Sequence, residues 1–147
     1  MKRILVPIDG TRVSEHVLDR AFDMAKKEGA TIVALSSINV SYSTGVNWKE
    51  IYEIVKGKKA EPLLAKVAER GRKEGVPVEP LIKRGPIHET IIEASREMEV
   101  DMVIMGVEQR RSKAPIKKHV SAVLSRICCP VLTVKNCKYE KGGVLNV

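Results

Sequence analysis

Aromatic side chains are nearly missing from this sequence. Phe, Trp and Tyr together make up 3% of its 147 residues, so any core must be built from Val, Ile, Leu, Met and Ala. Long apolar runs are missing too, and none approaches the roughly 20 residues that span a bilayer. The opening Met1-Lys2-Arg3-Ile4-Leu5-Val6-Pro7 has one basic pair but neither the length nor the cleavage site of a signal peptide, so cytoplasmic residence away from membranes is expected. Cysteine is scarce. Cys128, Cys129 and Cys137 are too few and too clustered for a disulfide framework, and neighbouring cysteines pair only with a strained backbone. Their nearest histidine, His119, falls on the preceding helical pattern, so reduced structural thiols are expected and no metal site.

What is present is globular composition, with 44% apolar and 30% charged residues. The length suits one domain with a real core. A formal charge of +8 admits a polyanionic partner. Most lysines and arginines are spread along helical patterns as solvated faces. One concentration stands apart, Arg110-Arg111-Ser112-Lys113 followed by Lys117-Lys118.

Apolar runs of strand length occur at Ile4–Ile8, Thr31–Leu35, Val76–Ile82, Asp101–Met105 and Pro130–Val134. Helical spacing links Val13, Val17, Ala21, Met24 and Ala25, with Thr11 placed to cap this helix and Gly29 to stop it. A second helix resumes at Leu63, Leu64, Val67 and Ala68 and ends at Gly75. The third opens at Gly85-Pro86 and carries Ile87, Ile91, Ala94 and Met98. The fourth runs through Ile116, Val120, Val123, Leu124 and Ile127. Ser41–Gly57, with Tyr42, Trp48 and Tyr52, reads as an irregular loop packing its aromatics onto the body. A short helix over Lys49–Lys56, a lid or a partner surface are the alternatives. Pro77 and Pro80 each lack a ladder donor and assign the third strand to an edge.

Strands alternating with amphipathic helices call for parallel pairing through right-handed crossovers, a doubly wound three-layer α/β sandwich. An N-terminal strand in mid-sheet and the third strand at an edge predict a five-stranded order of 3-2-1-4-5. The chain reverses between strands 1 and 4, and ligands of such folds bind there, outside the carboxyl ends of the strands. Candidate site residues follow. Pro7, Ile8 and Asp9 end the first strand, and Gly106 ends the fourth. Asp9 is placed to accept hydrogen bonds from a ligand's amino or hydroxyl groups, or to form the turn before Gly10. Gly106 would admit a phosphate or sugar close to the backbone.

With those residues in view, the chain resembles the universal stress protein family from its start to about Lys135. The segments that carry the resemblance are Ile4–Gly10 with Ser14, the Gly85-Pro86 helix opening, Asp101–Gly106, and Val120 through Val134. The resemblance implies an adenine nucleotide alpha hydrolase-like fold over residues 1–135 and a homodimer joined along the fifth strand, while residues 136–147, with Gly142-Gly143, read as a tail. It further implies nucleoside contact by the carboxylate at Asp9 and base contact by backbone near Ser37. ATP-binding members wrap the phosphates in a loop reading Gly-x-x-Gly, a spacer, then Gly-Ser or Gly-Thr.

This loop departs from that pattern. Gly106 keeps the first glycine and Gln109 replaces the second. The third falls on His119 counted forward, or on Lys117 with Lys118 in the Ser/Thr place counted back from Pro130. Pro115 removes a further N–H donor. Arg110, Arg111, Lys113, Lys117 and Lys118 stand where phosphates would lie, and cations can hold phosphate without a glycine cradle.

The expectation is a non-enzymatic stress protein that binds ATP or AMP, with magnesium alongside, or another phosphate anion, through Pro7, Ile8, Asp9, Ser37, Gly106, Gln109, Lys117 and Lys118. Two alternatives stand beside it: a non-nucleotide-binding stress protein acting only through protein partners, and a slow nucleotide hydrolase using Asp9, Glu108 or His119. No Ser-His-Asp, Cys-His or metal-ligand spacing supports an enzyme, and His16 and His88 read as surface or cap residues. Without a zinc pattern, an aromatic stacking motif or a helix-turn-helix, nucleic acid is not an expected partner.

Overall fold

The computed structural model describes residues 1–8, 12–38, 48–108 and 115–136. Along them run β1 (Arg3–Pro7), α1 (Arg12–Glu28), β2 (Thr31–Ile38), α2 (Trp48–Glu74), β3 (Val78–Arg84), α3 (Ile87–Glu97), β4 (Met102–Glu108), α4 (Pro115–Arg126) and β5 (Val131–Asn136). The sheet is parallel throughout, in the order β3-β2-β1-β4-β5.

Side chains alternate between the two faces of a strand, and both faces of the central strands are apolar. Ile4, Val6, Ile32, Ala34 and Ile104 point to one side, where Val17, Ala21 and Phe22 of α1 and Leu64 and Val67 of α2 cover them. Leu5, Val33, Leu35, Val103 and Met105 point to the other, beneath Ile91 and Ala94 of α3 and Val123 of α4. This gives three layers with one apolar core on each side of the sheet. The lower end of β1 is pinned by Asp101, whose carboxylate accepts the N–H groups of Lys2 (2.7 Å) and Arg3 (3.0 Å).

Two local expectations change. Helix α2 is continuous from Trp48 to Glu74, so the short helix over Lys49–Lys56 is present as its first part, residues 48–57 are not an irregular loop, and 41–47 lie outside the described residues. Pro62 lies inside it, on the exposed side, where the carbonyl left without its i+4 donor can meet water. Burial of Ala60, Leu64 and Val67 carries the helix through.

The third strand starts two residues later than the apolar run does. Gly75 adopts φ +75° and the Val76 N–H bonds back to the Gly71 carbonyl at 2.8 Å, so Val76 closes α2 instead of opening β3. Gly71 is required there, because a Cβ would stand 2.5 Å from both the Val76 carbonyl oxygen and Val78 Cγ2. Pro80 costs the ladder nothing. Ile32 N–H bonds to the Pro77 carbonyl and Gly85 N–H to the Ile38 carbonyl, so odd-numbered residues of β3 face β2 and Pro80 faces outward from the edge.

Candidate functional site

The same alternation of peptide groups explains why the β1–β4 ladder is short. Ile8 N–H bonds to the Leu35 carbonyl at 2.9 Å, so residues 4, 6 and 8 of β1 serve β2, and residues 3, 5 and 7 serve β4. Position 7 is proline. It has no N–H to give the Ile104 carbonyl, and the β1–β4 register stops at Ile4↔Met102 and Leu5↔Val103. On the other flank, β1–β2 pairing continues to Pro7↔Leu35, and β4 goes on pairing with β5 as far as Glu108↔Asn136. The β1–β4 ladder therefore ends beside Pro7 at the carboxyl end of the sheet, where the crossovers reverse direction and folds of this kind have their ligand crevice.

Two strands aim backbone groups toward it. Val103 N–H bonds to the Pro130 carbonyl, so in β4 the even-numbered residues, Gly106 among them, turn their peptide groups to the β1 side. In β2, Leu35 serves β1 and Ile38 serves β3, so the N–H and C=O of Ser37 point past the end of β1. The Ile8 side chain is 4% exposed and belongs to the core, leaving only its backbone for a ligand. The Ser37 hydroxyl is engaged elsewhere: it donates to the Gly85 carbonyl at 2.9 Å and lies 3.2 Å from Thr90 Oγ1.

Of the residues expected at the site, Pro7, Ile8, Ser37 and Gly106 thus lie toward the carboxyl ends of the neighbouring strands β2, β1 and β4. Asp9 and Gln109 lie outside the described residues, as do Thr11 and Arg110 to Lys113. Lys117 and Lys118 are the third and fourth residues of α4, which follows β4 and starts at the carboxyl end of the sheet. Pro115 is the first residue of that helix, where an N–H would have no helical partner, so it costs the helix no bond. The first turn of α4 contains no acidic residue, whereas α1 has Glu15 there and α3 has Glu89.

Two other groups of side chains lie away from this opening. An open apolar groove bounded by Glu61, Leu64, Ala65, Ala68, Pro80 and Ile82 sits at the β3 edge, two strands from the crevice, and has no part in its chemistry. Cys128 and Cys129 are both free, and burial, with Cys128 alongside, pushes the Cys129 thiol up. A raised thiol is a poor nucleophile. Among the described residues no three His, Cys, Asp or Glu side chains gather into a metal site, and no helix is long and apolar enough to cross a membrane.

A family model described as the universal stress protein family matches residues 1–135. The chain belongs to that family. A universal stress protein of Methanocaldococcus jannaschii is 27% identical over 145 residues, covering 95% of this chain and 85% of that one. Among solved structures, a universal stress protein family member from Burkholderia pseudomallei superposes with a TM-score of 0.76 at 21% identity, over 90% of this chain and 95% of the other. The universal stress protein of Archaeoglobus fulgidus in complex with dAMP gives 0.66 at 20% identity, over 90% and 97%. These likenesses agree with the five-stranded parallel order and the adenine nucleotide alpha hydrolase-like fold.

The Ser37–Thr90 link had no counterpart in the sequence reading. Its only local signal was Gly85-Pro86, which marks the helix start but not the strand it touches.

Proposed function

We propose that this universal stress protein is a non-enzymatic homodimer that binds an adenine nucleotide in the crevice beside Pro7 and acts through protein partners. The observation that carries the reading is the first turn of α4. Helix N-termini favour anions, and lysines placed there oppose the helix dipole unless an anion neutralises both. A helix that opens with Lys117 and Lys118, and with no acid, is arranged for a phosphate rather than for its own stability. The dAMP-bound Archaeoglobus relative supports an adenine nucleotide as that anion's source. In this reading Asp9 contacts the nucleoside, the Ser37 peptide meets the base, and Gly106, Gln109, Lys117 and Lys118 meet the phosphates of ATP or AMP, magnesium accompanying ATP.

The sheet edges favour dimerisation along β5. β3 presents Pro80 at an outward-facing position, which leaves a gap in any strand added there. β5 has no proline, and its odd-numbered residues, Val131, Thr133 and Lys135, turn complete peptide groups outward.

Calorimetric titration of the nucleotide-stripped protein with ATP and AMP, with and without magnesium, tests the reading. Binding that Asp9→Ala or Lys117→Ala weakens about tenfold supports it, this being the scale of one charge-assisted hydrogen bond. No heat, with an unchanged melting temperature at saturating nucleotide, would sink it in favour of a protein that works through partners alone. Steady phosphate release abolished by Asp9→Ala would make the protein a slow hydrolase.

A further inference from the structure

Strand alternation turns the Ser37 peptide toward the crevice, and its side chain is braced on the α3 side; the inference from this brace rests on the nucleotide-binding reading. Ser37 lies at the carboxyl end of β2, beyond Leu35, the last residue paired with β1, so among the described residues no strand pairs with that flank of its backbone. Its side chain projects onto the α3 face, as Leu35 does two residues earlier. There its hydroxyl donates to the Gly85 carbonyl at 2.9 Å. Gly85 returns an N–H to the Ile38 carbonyl at 2.8 Å, closing a ring of bonds between the end of β2 and the turn into α3.

Thr90, in the first turn of α3, completes the ring. It is 1% exposed, and its hydroxyl lies 3.2 Å from Ser37 Oγ and 2.9 Å from the Ile87 carbonyl. The single Thr90 proton serves both acceptors. The Ser37 proton goes to Gly85, so Ser37 Oγ meets Thr90 as an acceptor. A half-buried hydroxyl network of this kind restrains its members, because a broken link leaves a polar atom with fewer partners beside Thr90, its one buried side chain. Gly85 has φ +129°, and a Cβ there would lie 3.6 Å from Thr90 Cγ2, so the turn closes directly over the threonine.

We propose that Thr90 is a positioning residue for base recognition: through Ser37 Oγ it holds the Ser37 N–H and C=O in the orientation that reads the base edge. One residue's N–H and C=O form a donor–acceptor pair that complements N1 and the 6-amino group of adenine. The matching edge of guanine carries the opposite pattern, O6 accepting and N1–H donating. Loosening the Ser37 peptide therefore costs adenine affinity and leaves guanine affinity unchanged, because guanine never makes that pair.

Thr90→Val keeps the shape of the side chain and removes only its hydroxyl, and Thr90→Ser keeps the hydroxyl as the conservative control. A fluorescent ATP analogue bound to the full chain is displaced by ATP and, separately, by GTP. Thr90→Val is expected to weaken ATP about two- to tenfold, the range of one hydrogen bond, without weakening GTP, and Thr90→Ser to restore the wild-type ratio. An unchanged ATP-to-GTP ratio in Thr90→Val, whether both affinities fall equally or neither moves, overturns the positioning role. If Thr90→Val does not fold, Ser37→Ala cuts the same link from the other side and is read by the same ratio. Wild-type protein that ATP cannot displace the analogue from would bring down the nucleotide-binding reading itself. Wild-type displacement with an unaffected variant brings down only the role of Thr90.

Discussion

Pro7, Pro80 and Pro115 show how the direction of one peptide group decides what a proline does. At Pro7 the absent N–H would have faced β4, and the β1–β4 ladder ends there. At Pro80 it would have faced outward from the edge, and nothing is lost within the fold. At Pro115 it would have fallen in the first turn of a helix, where it has no partner. Asp101 is the acidic counterpart at the other end of β1. Its two backbone hydrogen bonds, Arg3 first and Lys2 second, hold its carboxyl below its ordinary value. A group depressed in the folded state adds stability above its unfolded pKa and loses it as pH falls through the folded pKa. Asp101→Asn is therefore expected to lower the melting temperature by a few degrees at neutral pH. The gap between variant and wild type should close as pH is taken below the carboxylate range. Thermal melts across an acid series check this, and a gap independent of pH would mean that the carboxylate charge is not what pins β1.

At the scale of elements, α4 differs from α1 and α3 in the charge of its first turn. α1 and α3 carry an acidic residue in the first turn and basic residues in the last. α4 has a basic residue in its last turn as well, but opens on lysines. Reversing one of them should separate stability from binding. Lys117→Glu is expected to stabilise the ligand-free protein by about 0.3–1 kcal/mol, the usual size of a helix-dipole interaction, and to weaken nucleotide binding at the same time. Denaturant melts alongside the titration would read both effects, and a loss of stability without ligand would show that the lysines are paired within the protein. Helix α2 is held differently. Arg70 bonds Glu74 at 2.7 Å and Asp19 at 2.9 Å, with Lys26 2.8 Å from Glu74, so its C-terminal half is clasped to α1. Arg70 also lies over the Phe22 ring, 4.5 Å from its centroid, which sets the one Phe of the chain beneath a cation.

For the whole molecule, the two sheet edges are unequal. Thr133 turns its peptide groups away from β4, so Thr133→Pro removes no bond within the protomer and blocks strand addition along β5. Light scattering is expected to show a dimer for the wild type and a monomer of unchanged helical content for the variant. A variant that stays dimeric would place the contact on another surface.

Much of this architecture was legible in order along the chain. Strand and helix periods are set by a residue and its close neighbours, and the alternation of apolar runs with helical spacing was enough for the parallel order and for the end of the sheet where the opening lies. Pro77 and Pro80 correctly marked an edge, although Pro80 works by facing outward and Pro77 lies before the strand. Boundaries were less legible. Val76 belongs to the close of α2 because Gly75 can take a positive φ and Gly71 lets the chain return, and apolar character alone does not separate those roles from a strand. Residues 48–57 are helical although their pattern is loose, because buried positions further along α2 continue the helix through Pro62.

The sequence by itself determined the fold class, the strand order and the family, since each depends on local periodicity and on motifs that can be read in a line. Tertiary structure alone decided which peptide groups face the crevice and what holds them there. Ser37 and Thr90 are 53 residues apart, and nothing near either one names the other. They meet because α3 packs on the sheet face to which the Ser37 side chain of β2 points. The direction of a peptide group, unlike a side chain's period, is settled only once a neighbouring strand has taken its register.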